Sequence, residues 1–404
     1  MVSESGSLRS FRHRNFRILF AANAISNIGT WAQRIAQDWL VLELTHSGRD
    51  LGLVTGLQFL PSLLLSLYGG VLADRFNKRK LLLITNFGGA LAALILGLLV
   101  TTHHVHLWHV YVLAFALGVF SAIDAPVRQS FNSEVVGKSD IANAISLNSA
   151  NFNVGRLIGP GLSGLLIAWF GTGPSFLMNA ASYIVVLTAL FLIDESILFI
   201  EKAPKIDVKI KAGLKYVRGR KDLMAVMITV FFAATFGLNF QIFNALMATK
   251  IFGKGAAVFG LLGSILAIGS LTGALVSAKL DTRRSPRFII AFAAAFGGSV
   301  IILSVAPSYL TYAVLLPVCG ALALTTMIAA NSYVQTSTEP HIRGRVMGIY
   351  LMVFMGGSPF GSPLIGWLST QIGVRETVTF CGAVTLFAAL SVYGIASRAR
   401  RRSL

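Results

Sequence analysis

The run from Leu81 to Thr102 contains no charged side chain. A helix rises about 1.5 Å per residue, so such a run covers roughly 30 Å, the thickness of a bilayer's hydrocarbon core. The pattern recurs along the chain. Candidate spans fall at about 16–42, 51–73, 81–102, 108–130, 143–170, 174–194, 222–248, 256–279, 287–306, 309–334, 343–371 and 374–397. The runs are apolar on all faces and show no period-two alternation, so helices are expected and a barrel is not. Composition agrees, with 55% apolar and only 12% charged residues, about half the roughly 25% usual for a soluble domain. A soluble globule of 404 residues could not hide that much apolar surface. The same richness excludes disorder. The expected fold class is an all-α integral membrane protein with twelve transmembrane helices.

The net charge of +18, from 34 Lys+Arg against 16 Asp+Glu, sits oddly beside this apolarity and raises nucleic-acid binding as a possibility. Placement answers it. Twenty-eight of the 34 basic residues fall at the N-terminus, in the tail and in alternate loops. Arg49, Lys250, Lys254 and Arg375 fall on the other side, and Arg34 and Arg156 lie within spans. This asymmetry predicts both termini in the cytoplasm, with no nucleic-acid partner. A missed or invented span would swap the later loops and spoil it. The first span is long and carries Asn23, Asn27 and Arg34, so it is read as retained, not as a cleavable signal. Cys319 and Cys381 make no disulfide framework or CxxC motif.

The basic segment at 195–221 separates six spans (1–194) from six more (222–404). A shift of 202 residues lays Gly155, Gly159, Gly164 and Gly171 over Gly357, Gly361, Gly366 and Gly373. A shift of 208 lays Leu51-Gly52-Leu53 over Phe259-Gly260-Leu261. An internal duplication follows, and parallel six-span repeats are one of the transporter architectures.

Between spans two and three the chain reads Gly69-Gly70-Val71-Leu72-Ala73-Asp74-Arg75-Phe76-Asn77-Lys78-Arg79-Lys80. This resembles the signature loop of the major facilitator superfamily, G-x-x-x-D-R-x-G-R-R/K. Gly70, Asp74 and Arg75 match. Asn77 replaces the usual Gly, though Asn also enters the left-handed region. Lys78 replaces Arg, keeping charge without the bidentate fork. Asp281-Thr282-Arg283-Arg284 looks like a degraded copy. In span five, Gly155, Gly159, Pro160 and Gly164 are similar to the glycine–proline motif of the superfamily's exporters, although no Gly stands at 146. Asn27-Ile28-Gly29-Thr30-Trp31 and Arg343-Gly344-Arg345-Val346-Met347 extend the likeness to the bacterial branch that includes enterobactin and macrolide exporters. The resemblance implies a monomeric inner-membrane transporter without cofactors, surrounded by lipid and moving a small molecule against protons. It also implies a cytoplasmic latch, with Lys78 meeting Asp124, and Asp74 meeting the start of span eleven.

Charges inside spans need a reason. Arg156 lies near mid-bilayer, about 20 Å along span five at 1.5 Å per residue. Either it contacts substrate or a proton-carrying carboxylate, or it packs between helices. Asn23, Asn27, Arg34, Gln37 and Asp38 share one arc of span one. Arg34 and Asp38 stand four apart, as a fixed ion pair or a proton-responsive gate. Asp124 and Arg128, also four apart, are assigned to the latch. The glycines of span five let helices approach closely. Asn239, Gln241 and Asn244 of span seven and Asn331 and Gln335 of span ten are candidate cavity residues by intramembrane polarity.

Three motifs carry less. His103, His104, His106 and His109 crowd one loop, but nothing else has ligand spacing, so no metal is expected. Gly137-Lys138-Ser139 resembles the end of a P-loop, yet 132 is Asn and no strand precedes it. The stretch 206–220 alternates basic and apolar residues and reads as an amphipathic surface helix. The resulting expectation is a proton-coupled exporter of small, partly hydrophobic molecules such as drugs or siderophores. Its rivals are an uptake system, a channel and a membrane-embedded enzyme. The enzyme would need a nucleophile or carboxylate cluster at one depth, which the sequence lacks.

Overall fold

The computed structural model describes residues 6, 8–199, 210–280, 285–339 and 342–401. Every regular element among them is helical. The first five are α1 (Arg14–Thr45), α2 (Gly48–Arg75), α3 (Lys78–Thr101), α4 (Leu107–Phe170) and α5 (Gly173–Phe191). After the short α6 (Ile210–Gly219) come α7 (Lys221–Ile251), α8 (Ala256–Lys279), α9 (Pro286–Ser304), α10 (Tyr309–Ser337) and α11 (Arg343–Gln371). The last is α12 (Val374–Arg401). Among the described residues nine segments are long and apolar enough to cross a membrane. One of them, α4, has 64 residues, roughly three bilayer thicknesses at 1.5 Å per residue. It bends at Gly137 (φ +71°, ψ 172°) and carries two spans. With 32 and 28 residues, α1 and α2 are long enough as well.

Helix ends follow local sequence. The side chain of Asn77 accepts from Lys80 N at 3.0 Å and caps α3. Its backbone is extended (φ −62°, ψ 116°), so the replacement of Gly by Asn at 77 serves capping and not a left-handed turn. Ser285 and Ser308 cap α9 and α10 in the same way. Gly171 (φ +78°) and Gly373 (φ +98°) end α4 and follow α11. This pair, related by the 202-residue shift, takes a backbone conformation that favours glycine. His109 accepts from His106 N and caps the start of α4, which gives two of the four clustered histidines a local structural task.

Polarity is inverted relative to a soluble protein. On α3, Ile84, Phe87, Leu91 and Leu98 face outward, while Thr85, Asn86 and Gly89 are buried. An apolar stripe at this spacing suits lipid, and a polar interior needs partners within the protein.

The chain divides into two compact units. Unit 1 comprises Met1–His46, Leu57–Lys205 and Gly255–Ser264. Its core gathers Phe16, Leu82, Phe131, Val136 and Leu190. Unit 2 comprises Ser47–Gly56, Ile206–Lys254 and Ile265–Leu404, with Ile290, Ala293, Ala389 and Val392 packed together. Each unit thus takes the first turns of an even-numbered span from the other half of the sequence. The matched glycines sit where these turns dock. In unit 1 a Cβ on Gly260 would lie 2.4 Å from Pro160 O and 2.8 Å from Gly164 Cα. In unit 2 a Cβ on Gly52 would lie 2.3 Å from Ser362 O and 3.0 Å from Gly366 Cα. Both shifts found in the sequence therefore describe one repeated helix crossing that only glycine permits.

Within unit 2, α6 packs Gly213, Tyr216 and Val217 inward and exposes Leu214, Lys215 and Arg218. Residues 206–209 of the expected amphipathic helix, and the 281–284 loop, lie outside the described residues.

Candidate functional site

Unit 1 encloses a cavity of about 300 Å³. Three helices carry its polar wall. From α1 come Asn23, Asn27 and Thr30, from α3 Thr85 and Asn86, and from α4 Ser121, Asp124, Arg128, Asn132 and Asn148. Phe120, Phe152 and Tyr183 add ring surface. The spacing explains the wall: 23, 27 and 30, like 120, 124 and 128, repeat on one helical face.

The centre of the wall is an ion pair. Arg128 Nε lies 2.7 Å from Asp124 Oδ2, and Arg128 Nη2 lies 3.0 Å from Oδ1. Arg128 Nη1 donates to Asn23 Oδ1 at 2.7 Å, and Nη2 donates to Asn86 Oδ1 at 3.2 Å. Thr85 Oγ1 and Asn86 Nδ2 donate to Asp124 Oδ1 at 2.9 and 2.8 Å. Each charge is thereby solvated by polar groups inside an apolar bundle. The side chains keep 25% and 21% of their surface, so the pair is reachable from the cavity.

This arrangement corrects the latch. Lys78 does not meet Asp124; its Nζ lies 2.6 Å from Glu134 Oε1. Register is the reason. Asp124 stands level with Thr85 and Asn86, which lie about 10 Å along α3 from Lys78 at 1.5 Å per residue. Asp74 and Arg75 are exposed at the end of α2, and Gly70 lies within that helix.

Next to Thr30, which lines the cavity, two guanidinium groups approach Trp31. Arg34 Cζ lies 4.8 Å and Arg156 Cζ 5.7 Å from the ring centroid. Phe152 packs edge-on against the same indole, with centroids 5.6 Å apart. Close contact of α1 with α4 sets this geometry. A Cβ on Gly155 would lie 2.7 Å from Asn27 Cβ, and one on Gly159 would lie 2.6 Å from Trp31 Cβ. Arg34 is coupled electrostatically to the fully buried Asp38.

The other expected pathway residues belong to unit 2. Asn239 donates to Thr235 O and accepts from Ser362 Oγ. Asn244 accepts from Tyr312 Oη at 2.8 Å. Gln335 donates to Asn331 on an exposed face. These bonds satisfy buried amides and hold helices together. Gln241 Nε2 is buried and makes no hydrogen bond. Thr85, Asn86, Asn132, Asn148 and Tyr183 were not singled out by sequence. Thr85 and Asn86 carried a signal nonetheless, as interior polar residues of the otherwise apolar run 81–102.

Outside the spans, the connection within α4 is tied to the N-terminus. Asp140 meets Arg9 Nε at 3.2 Å, Arg12 Nη2 at 2.9 Å and His13 Nε2 at 2.8 Å. Burial opposes its charge, but the hydrogen bond with His13 and the charges of Arg12 and Arg9 prevail and hold its carboxyl below the ordinary value. The P-loop-like Gly137 is the elbow beside this cluster, packed against the Phe199 ring.

Known proteins agree with the fold. The family described as transmembrane secretion effector matches residues 5–401. The staphyloferrin A transporter of Staphylococcus aureus is 23% identical over 94% of this chain and 96% of its own. The multidrug efflux pump Tap of Mycolicibacterium fortuitum is 26% identical over 89% and 90%. The enterobactin exporter EntS of Shigella flexneri is 24% identical over 89% and 86%. Among solved structures, a bacterial homologue of the human lysosomal transporter Spinster, inward-facing and occupied, aligns with TM-score 0.76 at 16% identity over 98% of both chains. A D-xylose–proton symporter aligns with TM-score 0.73 at 15% identity, over 94% of this chain and 97% of its own. An inverted helical bundle, a repeated glycine crossing and a polar intramembrane cavity thus meet in a multi-pass membrane transporter, and the chain belongs to the transmembrane secretion effector family of the major facilitator superfamily.

Proposed function

We propose that the protein exports small, partly hydrophobic molecules from a bacterial cytoplasm in exchange for protons. The observation that carries this reading is the unit 1 cavity, where ring surfaces of Phe120, Phe152 and Tyr183 share a wall with the Asp124–Arg128 pair. Rings suit an apolar solute and amides orient it. A carboxylate held by a cation can take a proton and release that cation, which is how an ion pair couples protonation to conformation. Asp38 beside Arg34 is the second acid in such a relay. The six-span halves 1–194 and 222–404, joined by 195–221, are the moving bodies of an alternating-access cycle. Lys78 with Glu134, together with Gly70, Asp74 and Arg75 of the signature loop, forms its cytoplasmic latch. Export is supported by relatives named as exporters and efflux pumps. The orientation, with both termini cytoplasmic in the inner membrane, is supported by the uneven spread of basic residues. A monomer in lipid suffices for this cycle.

The test is flux in everted and right-side-out vesicles, using a drug and siderophore panel chosen by susceptibility of cells lacking or overproducing the protein. Proton-dependent uptake into everted vesicles is expected. Uptake into right-side-out vesicles instead would mean import. Flux indifferent to an imposed pH gradient would remove the proton.

A further inference from the structure

We infer that the solute recognised by unit 1 carries an anionic group, which binds Arg156 beside the face of Trp31. This rests on the reading of the cavity as a solute site. The argument is a charge inventory. Away from the helix ends and the elbow of α4, the membrane-spanning helices of unit 1 carry three arginines, Arg34, Arg128 and Arg156, and two acids, Asp38 and Asp124. Asp124 is held by Arg128 through both oxygens, and Asp38 stands one helical turn from Arg34 on α1. Arg156 is left over. Among the described residues no hydrogen bond or ion pair reaches it, and the guanidinium that shares the Trp31 ring with it, Arg34, carries a like charge.

A cation at this depth without a counter-ion is the arrangement least tolerated by a bilayer. Arg156 is not free to escape along a mobile stem, because its neighbours Gly155 and Gly159 press the backbone onto Asn27 and Trp31. Its side chain is only half-buried, and its neighbours reach the cavity. Phe152, one turn before it, and Asn27 and Thr30, beside Trp31, all line that space. The site therefore offers a planar two-pronged donor with an indole face next to it. That chemistry fits an organic anion, a carboxylate or similar group attached to a flat apolar body. It disfavours organic cations, since two guanidinium groups already occupy the surroundings of the Trp31 ring. Mid-bilayer depth favours a solute over a lipid phosphate as the source of the anion.

An isosteric trio tests this: 2-naphthoate, 2-naphthylmethanol and 2-naphthylmethylammonium, by equilibrium dialysis against the full chain in nanodiscs of zwitterionic lipid. Naphthoate should bind at least tenfold more tightly than either analogue. Arg156→Gln should erase that preference, while Arg156→Lys, which keeps the charge, should retain part of it. Absent naphthoate binding, equal binding of all three, preference for the ammonium, or a preference that survives Arg156→Gln overturns the proposal. So does naphthoate binding that disappears when phosphatidylglycerol is added, which would assign Arg156 to lipid. Should Arg156→Gln not fold, Arg156→Lys decides: an anion preference left unchanged overturns the assignment, and a weakened one supports it. Because dialysis needs no flux, failure of vesicle transport with intact anion binding would sink the exporter reading alone.

Discussion

Arg128 grips both carboxylate oxygens of Asp124, at 2.7 and 3.0 Å, one helical turn away on the same face of α4. Asn23 and Asn86 take two further guanidinium donors. Arg128→Ala would strip donors from three partners at once. Leaving buried polar groups unmade costs about 1–3 kcal/mol, so a lower melting temperature in detergent is expected. Asp124→Asn keeps an acceptor for Thr85 and should fold, yet lose gradient-driven flux at least tenfold. Equal proton-driven flux in Asp124→Asn and the parent protein would remove Asp124 from the proton path.

Lys78 and Glu134 should be energetically coupled, and Lys78 and Asp124 should not. A double-mutant cycle with Lys78→Gln and Glu134→Gln is expected to give about 1 kcal/mol of coupling for this largely buried pair. The cycle with Asp124→Asn should stay within about 0.5 kcal/mol, as for sites that share no partner. Thermal or denaturant unfolding in detergent measures both.

The repeated glycine crossing predicts a contrast between glycines. A Cβ at Gly260 would meet backbone at 2.4 Å, whereas one at Gly348 in α11 meets nothing within 4 Å. Gly260→Ala should destabilise by about 1–3 kcal/mol through overpacking. Gly348→Ala should be neutral or stabilise by about 0.5–1 kcal/mol, since alanine suits a helix interior better. Melting temperatures of the two variants check this.

Asp140 gives a pH dependence outside the membrane. Its carboxyl is held below the ordinary value, so its stabilising contribution is complete above the unfolded value of about 3.9 and is lost as the pH falls through the lowered folded value. Asp140→Asn should therefore lower the melting temperature at pH 7, and the difference should shrink below about pH 4. The arginines are part-exposed (35% and 45%), so each pair is worth only about 0.2–1 kcal/mol, and high salt should reduce the effect.

Much of the fold was legible because its causes are local. An apolar run of about 20 residues and a basic loop act on the membrane wherever they stand in the chain. The glycine repeat was legible too, since only glycine allows the crossings at Gly52 with Gly366 and Gly260 with Gly164. The site was legible in part. Asp124, Arg128, Arg34 and Arg156 announced themselves as charges in apolar runs. Their partners did not, because an asparagine or tyrosine within a span carries no mark of which helix it faces. Asn239 and Asn244 drew notice for the same reason, and their partners across helices, Ser362 and Tyr312, were equally unmarked.

Sequence alone thus determined the class of the molecule, the positions of its helices and the charges that had to be explained. Tertiary structure decided who answers each charge. Lys78 takes Glu134 and leaves Asp124 to Arg128, Thr85 and Asn86, because the relative register of α3 and α4 is set by packing and not by spacing along either helix. The same non-local packing presses Gly155 and Gly159 against α1, brings Arg156 to Trp31, and leaves that cation without an acid among the described residues.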